Sequence, residues 1–126
     1  MNRPRVLVAD DHQAILDLVS HQLADEFEVI ATLQDGQAAF DETLVRKPDV
    51  VVLDITMPRM SGIEVANRLS ALPNPPRIVF LTGIEDPDFM HAAEDAGASG
   101  YVLKRNLLTH LVGALRHALR VAPADR

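Results

Sequence analysis

Val6-Leu7-Val8-Ala9-Asp10-Asp11-His12 is an apolar run that ends abruptly in two acids, and Val50-Val51-Val52-Leu53-Asp54 repeats the pattern. Ile78-Val79-Phe80-Leu81 runs into Thr82, and Gly100-Tyr101-Val102-Leu103 into Lys104. Short apolar runs rich in Val and Ile, without polar alternation, are strands covered by helices on both faces, as in a parallel sheet. Each of the four strands therefore ends in a polar group. Like charges about 4 Å apart repel by roughly 4 kcal/mol at an effective dielectric of 20. Three carboxylates gathered at one end of a sheet therefore call for a bound cation, a proton or a reaction.

Working outward, apolar runs alternate with helical patterns along the whole chain, the signature of an α/β domain with crossover helices. Five βα units are expected, with strands over about Arg5-Ala9, Glu28-Leu33, Val50-Leu53, Ile78-Leu81 and Gly100-Leu103. Glu28-Leu33 is the most polar and belongs at an edge. The first helix is expected to bury Ile15, Leu18, Val19 and Leu23, to start with Asp11 as its cap and to end near Glu26. The second should run from Gln37 to Arg46, stopping before Pro48. The third should span Ile63-Ala71, the fourth should start near Pro87 and stop at Gly97, and the last should bury Leu108, Leu111, Val112, Leu115 and Leu119.

At 126 residues the chain is long enough for one domain with a real core, and it contains no cysteine, which excludes disulfides, thiolate metal sites and a cysteine nucleophile. A formal net charge of -6 argues against direct nucleic-acid binding by this domain. There is no apolar stretch of membrane-spanning length, and the first residues lead straight into a strand; a cytoplasmic location without membrane contact is the expectation. The domain is expected over residues 1–120. Residues 121–126 read either as a plain terminal tail or as the start of a linker.

Ligands of open parallel sheets collect outside the carboxyl ends of the strands, where Asp11, Asp54, Thr82 and Lys104 all fall. Carboxylate oxygens with water suit Mg²⁺. Asp11 and Asp54 are the expected direct ligands, Asp10 a partner through water, and the backbone carbonyl of Thr56 a further donor. In isolation Asp54 is a solvated carboxylate, Thr82 a turn residue and Lys104 a surface lysine; only their membership of one set argues otherwise. The histidines His12, His21, His91, His110 and His117 are dispersed and read as surface residues, His12 standing out because it adjoins the acid pair.

Four motifs in order, Val8-Ala9-Asp10-Asp11-His12, Asp54-Ile55-Thr56-Met57-Pro58-Arg59-Met60-Ser61-Gly62, Leu81-Thr82-Gly83 and Gly97-Ala98-Ser99-Gly100-Tyr101-Val102-Leu103-Lys104, resemble those of the receiver domain of two-component response regulators. The resemblance covers nearly the whole chain. It implies a flavodoxin-like (βα)5 fold, doubly wound, with strand order 2-1-3-4-5. It implies that Asp54 accepts a phosphoryl group from a sensor histidine kinase or histidine phosphotransfer protein, with Mg²⁺ or Mn²⁺ as cofactor and Lys104 and Thr82 assisting. Thr82 and Tyr101 would then switch the surface formed by the fourth helix, fifth strand and fifth helix. Such a protein catalyses its own phosphoryl transfer and autodephosphorylation and is not a metabolic enzyme.

The motifs look most like receivers joined to helix-turn-helix DNA-binding domains, which would put transcription under control of a domain outside this chain, with a phosphorylation-promoted homodimer as the expected assembly. The alternative is a stand-alone receiver or a phosphorylation-independent interaction module. An aspartyl phosphatase is disfavoured because Asp54-Ile55-Thr56 lacks a second carboxylate, and a flavin carrier because Ala9-Asp10-Asp11-His12 would repel a phosphate. Two departures from the family pattern stand out. Gly83 follows the switch threonine where Ala or Ser is common, and Arg105 follows Lys104 where many receivers have a proline in a cis peptide.

Overall fold

A computed structural model describes residues 2–120, so the expected tail or linker at 121–126 lies outside the described residues. The elements are β1 Arg5–Ala9, α1 Gln13–Leu23, β2 Glu28–Leu33, α2 Gly36–Arg46, β3 Val50–Leu53, α3 Gly62–Ser70, β4 Arg77–Thr82, α4 Pro87–Asp95, β5 Gly100–Leu103 and α5 Leu107–Arg120, the last entered through a 3₁₀ turn at Lys104–Asn106. The strands are all parallel, in the order β2-β1-β3-β4-β5. The flavodoxin-like arrangement is thus the observed one, and the polar β2 lies at the edge.

Successive strand residues face opposite sides of a sheet, so one apolar run supplies two cores. Val6, Val8, Val50, Val52, Val79, Leu81 and Val102 pack with α1 and α5 on one face. Leu7, Ala9, Val51, Leu53, Ile78 and Phe80 pack with α2, α3 and α4 on the other. Truncating a fully buried leucine such as Leu16 or Leu111 to alanine costs about 2–5 kcal/mol in cores of this kind.

Three helical expectations need correction. The α1 face that enters the core is Leu16, Val19 and Leu23, while Leu18 is exposed. α1 also ends at Leu23, three residues before the expected Glu26, and the chain turns there: Phe27 donates its N–H back to the Leu23 carbonyl and is itself buried, ahead of β2 at its expected start. In α5 the buried stripe is Leu107, Leu111, Leu115 and Ala118, with Leu108 65% exposed. The apolar residues of both helices cover more than one face, so spacing alone left the rotation of each stripe open by one position.

Helix ends are set locally. Asp35 and Ser61 cap α2 and α3 by accepting from Ala38 and Glu64 N–H, and Asp86 accepts from Asp88 N–H ahead of Pro87. Gly97 takes φ +96° just beyond α4, where a side chain would also strike Ser70 Oγ. No helix among the described residues is long and apolar enough to cross a membrane.

Candidate functional site

Ala9 and Leu53 are paired across β1 and β3, so the residues that follow them, Asp10 and Asp54, leave the sheet side by side. Backbone bonds hold both exits: Asp10 N–H donates to Leu33 O and Asp54 N–H to Ala9 O, each at 3.0 Å. The two residues are 2% and 5% exposed. On the far side, Thr82 pairs with Leu103, which delivers Lys104 to the same rim.

The Lys104 ammonium lies 2.8 Å from Asp10 Oδ2 and 3.1 Å from Asp54 Oδ2. Its contact with Asp54 is a hydrogen bond, whereas the Asp10 contact is an ion pair whose angles leave the buried Oδ2 without a well-formed hydrogen bond. Burial pulls the ammonium pKa down, but the Asp10 contact and the charges of Asp54 and Asp10 outweigh it, so the net shift is upward. Asp54 Oδ1 accepts from the N–H of Ile55 at 2.8 Å.

Asp11 and His12 sit at the exposed mouth. His12 Nδ1 is 3.1 Å from both Asp10 Oδ1 and Asp11 Oδ1, and carboxylate or imidazole atoms of Asp10, Asp11, His12 and Asp54 all come within 4.8 Å of one another. Asp11 does not cap α1. His12 is the cap residue, its side chain makes no cap bond, and Asp10 Oδ1 accepts the His12 N–H instead.

Thr82 is buried, and its hydroxyl accepts from Ile84 N–H at 3.3 Å. The Tyr101 hydroxyl donates to the Ile84 carbonyl at 2.7 Å, and its ring lies 6.3 Å from that of Phe80. Its pKa is raised, by burial first and then by the negative charges of Asp54 and Asp86. Thr82 and Tyr101 are thus joined through one loop residue rather than to the acids. Gly83 is open, a Cβ there meeting nothing within 4 Å, so space does not require glycine at this departure from the pattern. Every described peptide bond is trans, including that before Arg105, whose guanidinium pairs with Glu85.

The loop after Asp54 is closed on itself. Gly62 N–H donates to Ile55 O at 2.7 Å, and Met60 N–H to Pro58 O at 2.8 Å across Arg59, which adopts φ 70°. A Cβ at Gly62 would lie 1.9 Å from the Asp54 carbonyl oxygen, so close approach of backbone, not positive φ, demands this glycine. Thr56 is exposed within this loop.

Sequence reasoning brought the acids and Lys104 to one rim but missed the division of labour within Asp10. Its Oδ2 faces Lys104 and its Oδ1 faces His12. Only the strand register could reveal that, because Asp10 follows the first strand and Lys104 the last.

The family model for the response regulator receiver domain matches residues 6–116. The chain belongs to this family. The receiver is 34% identical to the transcriptional regulatory protein PdtaR of Mycobacterium tuberculosis over 91% of this chain and 56% of that protein. It is 32% identical to the oxygen regulatory protein NreC of Staphylococcus epidermidis over 89% of this chain and 53% of that protein. The chain therefore spans about half the length of these relatives. Among solved structures, the signal receiver domain of NarL from Mycobacterium tuberculosis superimposes with a TM-score of 0.92 at 29% identity, covering 97% of this chain and 100% of that one. A LuxR-family two-component response regulator from Aurantimonas sp. SI85-9A1 gives 0.89 at 28% identity, over 98% and 90%. The receiver is accordingly a signalling module of two-component systems, related to transcription regulators.

Domains of this family typically bind Mg²⁺, and the cluster described here has the chemistry for it. The carboxylates of Asp10, Asp11 and Asp54 supply hard oxygen donors close together.

Proposed function

We propose that the receiver takes a phosphoryl group from a phosphohistidine of a sensor histidine kinase or a histidine phosphotransfer protein onto Asp54. The supporting observation is the Asp54 carboxylate itself, buried at the strand end and held by the Lys104 ammonium on one oxygen and Ile55 N–H on the other. A fixed carboxylate beside a fixed cation is poised for attack on phosphorus. An Asp54 oxygen forms the new O–P bond as the N–P bond to the donor histidine breaks, and the electron pair leaves with the imidazole. Lys104 balances negative charge on the transferred oxygens, and the Thr82 hydroxyl is the group that would bond one of them afterwards.

Asp11, Asp54 and the Thr56 carbonyl would hold Mg²⁺ or Mn²⁺ directly, with Asp10 contributing through water. When bound, the ion neutralises charge on the phosphoryl oxygens. Drawing Thr82 toward the phosphate would break its bond from Ile84 N–H, and Tyr101 hangs on the same residue. That shared residue gives the switch a route from the acid rim to the face of α4, β5 and α5. The output is control of transcription through a DNA-binding domain outside residues 1–120, as the names of the relatives suggest, with a homodimer promoted by phosphorylation.

Incubation with acetyl phosphate and Mg²⁺, followed by intact mass, tests this. One added phosphoryl group is expected, lost in Asp54→Asn and in chelator. No gain in a folded protein would instead favour a docking module that works without phosphorylation.

A further inference from the structure

We infer that the turn from β2 into α2, Leu33-Gln34-Asp35-Gly36, sets the spacing of the metal site although it supplies no ligand, and that Gly36 is a positioning residue for the Thr56 carbonyl. The inference rests on the metal reading above and deepens it.

Each of these four residues touches a different part of the rim. The Leu33 carbonyl accepts the Asp10 N–H at 3.0 Å, and Gln34 Nε2 donates to Gln13 Oε1 at 2.8 Å, at the start of α1. Asp35 accepts from Ala38 N–H with Oδ1, while its Oδ2 lies 3.5 Å from Arg59 Nε. Gly36 N–H donates to the Pro58 carbonyl at 3.1 Å. One short turn thus grips both the strand end that carries Asp10 and the loop that follows Asp54.

The grip on that loop matters because a backbone carbonyl, unlike a side chain, has no rotamers with which to find an ion. Thr56 lies between two held carbonyls. Ile55 O accepts from Gly62 N–H, and Pro58 O accepts from both Met60 and Gly36 N–H. Of these three bonds only the one from Gly36 ties the loop to another connection of the sheet. Arg59, between Pro58 and Met60, holds φ 70°, a left-handed value that side chains disfavour and that persists only where the surroundings impose it.

Gly36 is buried, and a Cβ on it would lie 1.8 Å from Met60 O and 2.8 Å from Met60 Cβ. No side chain fits there, so any residue but glycine must drive the loop and the start of α2 apart. With Ile55 tied to Gly62, the displacement falls on residues 56–60. Groups that orient metal ligands without touching the ion govern affinity almost as the ligands do.

Mn²⁺ serves as the probe, its binding to the full chain read from the loss of the free-ion electron paramagnetic resonance signal. Gly36→Ala should weaken Mn²⁺ binding by about ten-fold. Leu115→Ala lowers stability from the core on the other face of the sheet and should keep the affinity within about two-fold of the unaltered protein. Full affinity in Gly36→Ala would overturn the inference, and so would an equal loss in both variants, which would trace affinity to stability alone. Should Gly36→Ala fail to fold, an amide-to-ester change at residue 36 deletes the N–H without adding bulk; it should weaken binding by about three-fold, and unchanged affinity there would overturn the inference. Failure of the unaltered protein to bind Mn²⁺ would overturn the metal reading with it.

Discussion

The two ends of the sheet handle charge in opposite ways. At the amino end lies a hollow of about 530 Å³, larger than the one of about 320 Å³ beside α4, lined by Pro48, Pro73, Pro75 and Pro76 with Lys47 and Asp49 at its rim. Two charged side chains there are tied to backbone: Asp49 accepts from Arg5 N–H at 2.8 Å, and the Arg5 guanidinium donates to the Lys47 carbonyl at 2.9 Å. At the carboxyl end no comparable hollow is needed. Asp10 and Asp54 are buried, face one lysine, and sit within reach of Asp11 and His12. The lesson is that convergence of buried charge, not concavity, marks the candidate site, since an ion pair stripped of water must be held by a specific partner.

The sharpest way to break that contrast is Gly62→Ala. The added Cβ would be driven into the Asp54 carbonyl, and stability should fall by about 3 kcal/mol or more in urea unfolding, because backbone cannot yield as a side chain can. A loss under 1 kcal/mol would mean that the loop after Asp54 relaxes freely.

Lys104→Met comes next. It strands two buried carboxylates, and stability at pH 7 should drop by about 2 kcal/mol, less than for a fully buried pair because Lys104 is one-fifth exposed. Added Mg²⁺ should recover part of the loss. The sign with pH follows from the raised Lys104 pKa. Its contribution is complete below the ordinary value of 10.5 and is lost as pH climbs through the higher folded-state value. Unfolding midpoints measured between pH 9 and 12 should fall in the unaltered protein and flatten in Lys104→Met, with the raised pKa of Tyr101 leaving a smaller residual slope of the same sign.

Tyr101→Phe removes the bond to Ile84 O and should cost about 1 kcal/mol. The more telling readout is the Thr82 methyl resonance, which should shift on phosphorylation in the unaltered protein and respond differently once the hydroxyl that shares Ile84 is gone. The smallest effect belongs to the opposite end: Asn74→Ala, exposed in the loop lining the hollow, should change stability by less than about 0.5 kcal/mol and leave phosphoryl uptake unchanged. A large effect there would show that the amino end takes part in the site after all.

Much of this was legible beforehand, and unevenly. Four of the five strands have their expected bounds, β1 and β3 because unbroken Val and Leu runs admit little else, and β4 extends by one residue at each end. Asp54, Thr82 and Lys104 could be placed at strand ends because the polar residue that stops an apolar run must leave the sheet there. The rotation of α1 and α5 was less legible, since both helices have apolar residues to spare; Leu18 and Leu108 lost their core places to Leu16 and Leu107. The capping role expected of Asp11 failed for a related reason. An acid before a helix is a cap only if its oxygen can turn back to the first N–H groups, and here Asp10 took the His12 N–H first.

By itself, then, the sequence determined the α/β class, the order of elements, the edge position of β2 and the gathering of acids and a lysine at one rim, because periodicity and run length are local properties of a chain. Only the tertiary structure decided which oxygen of Asp10 meets Lys104, that Thr82 and Tyr101 share Ile84, and that His12 reaches both acids. Those contacts join β1, β4 and β5 through strand register and loop closure, and no short stretch of sequence contains the distance between residues that meet only when the sheet is assembled.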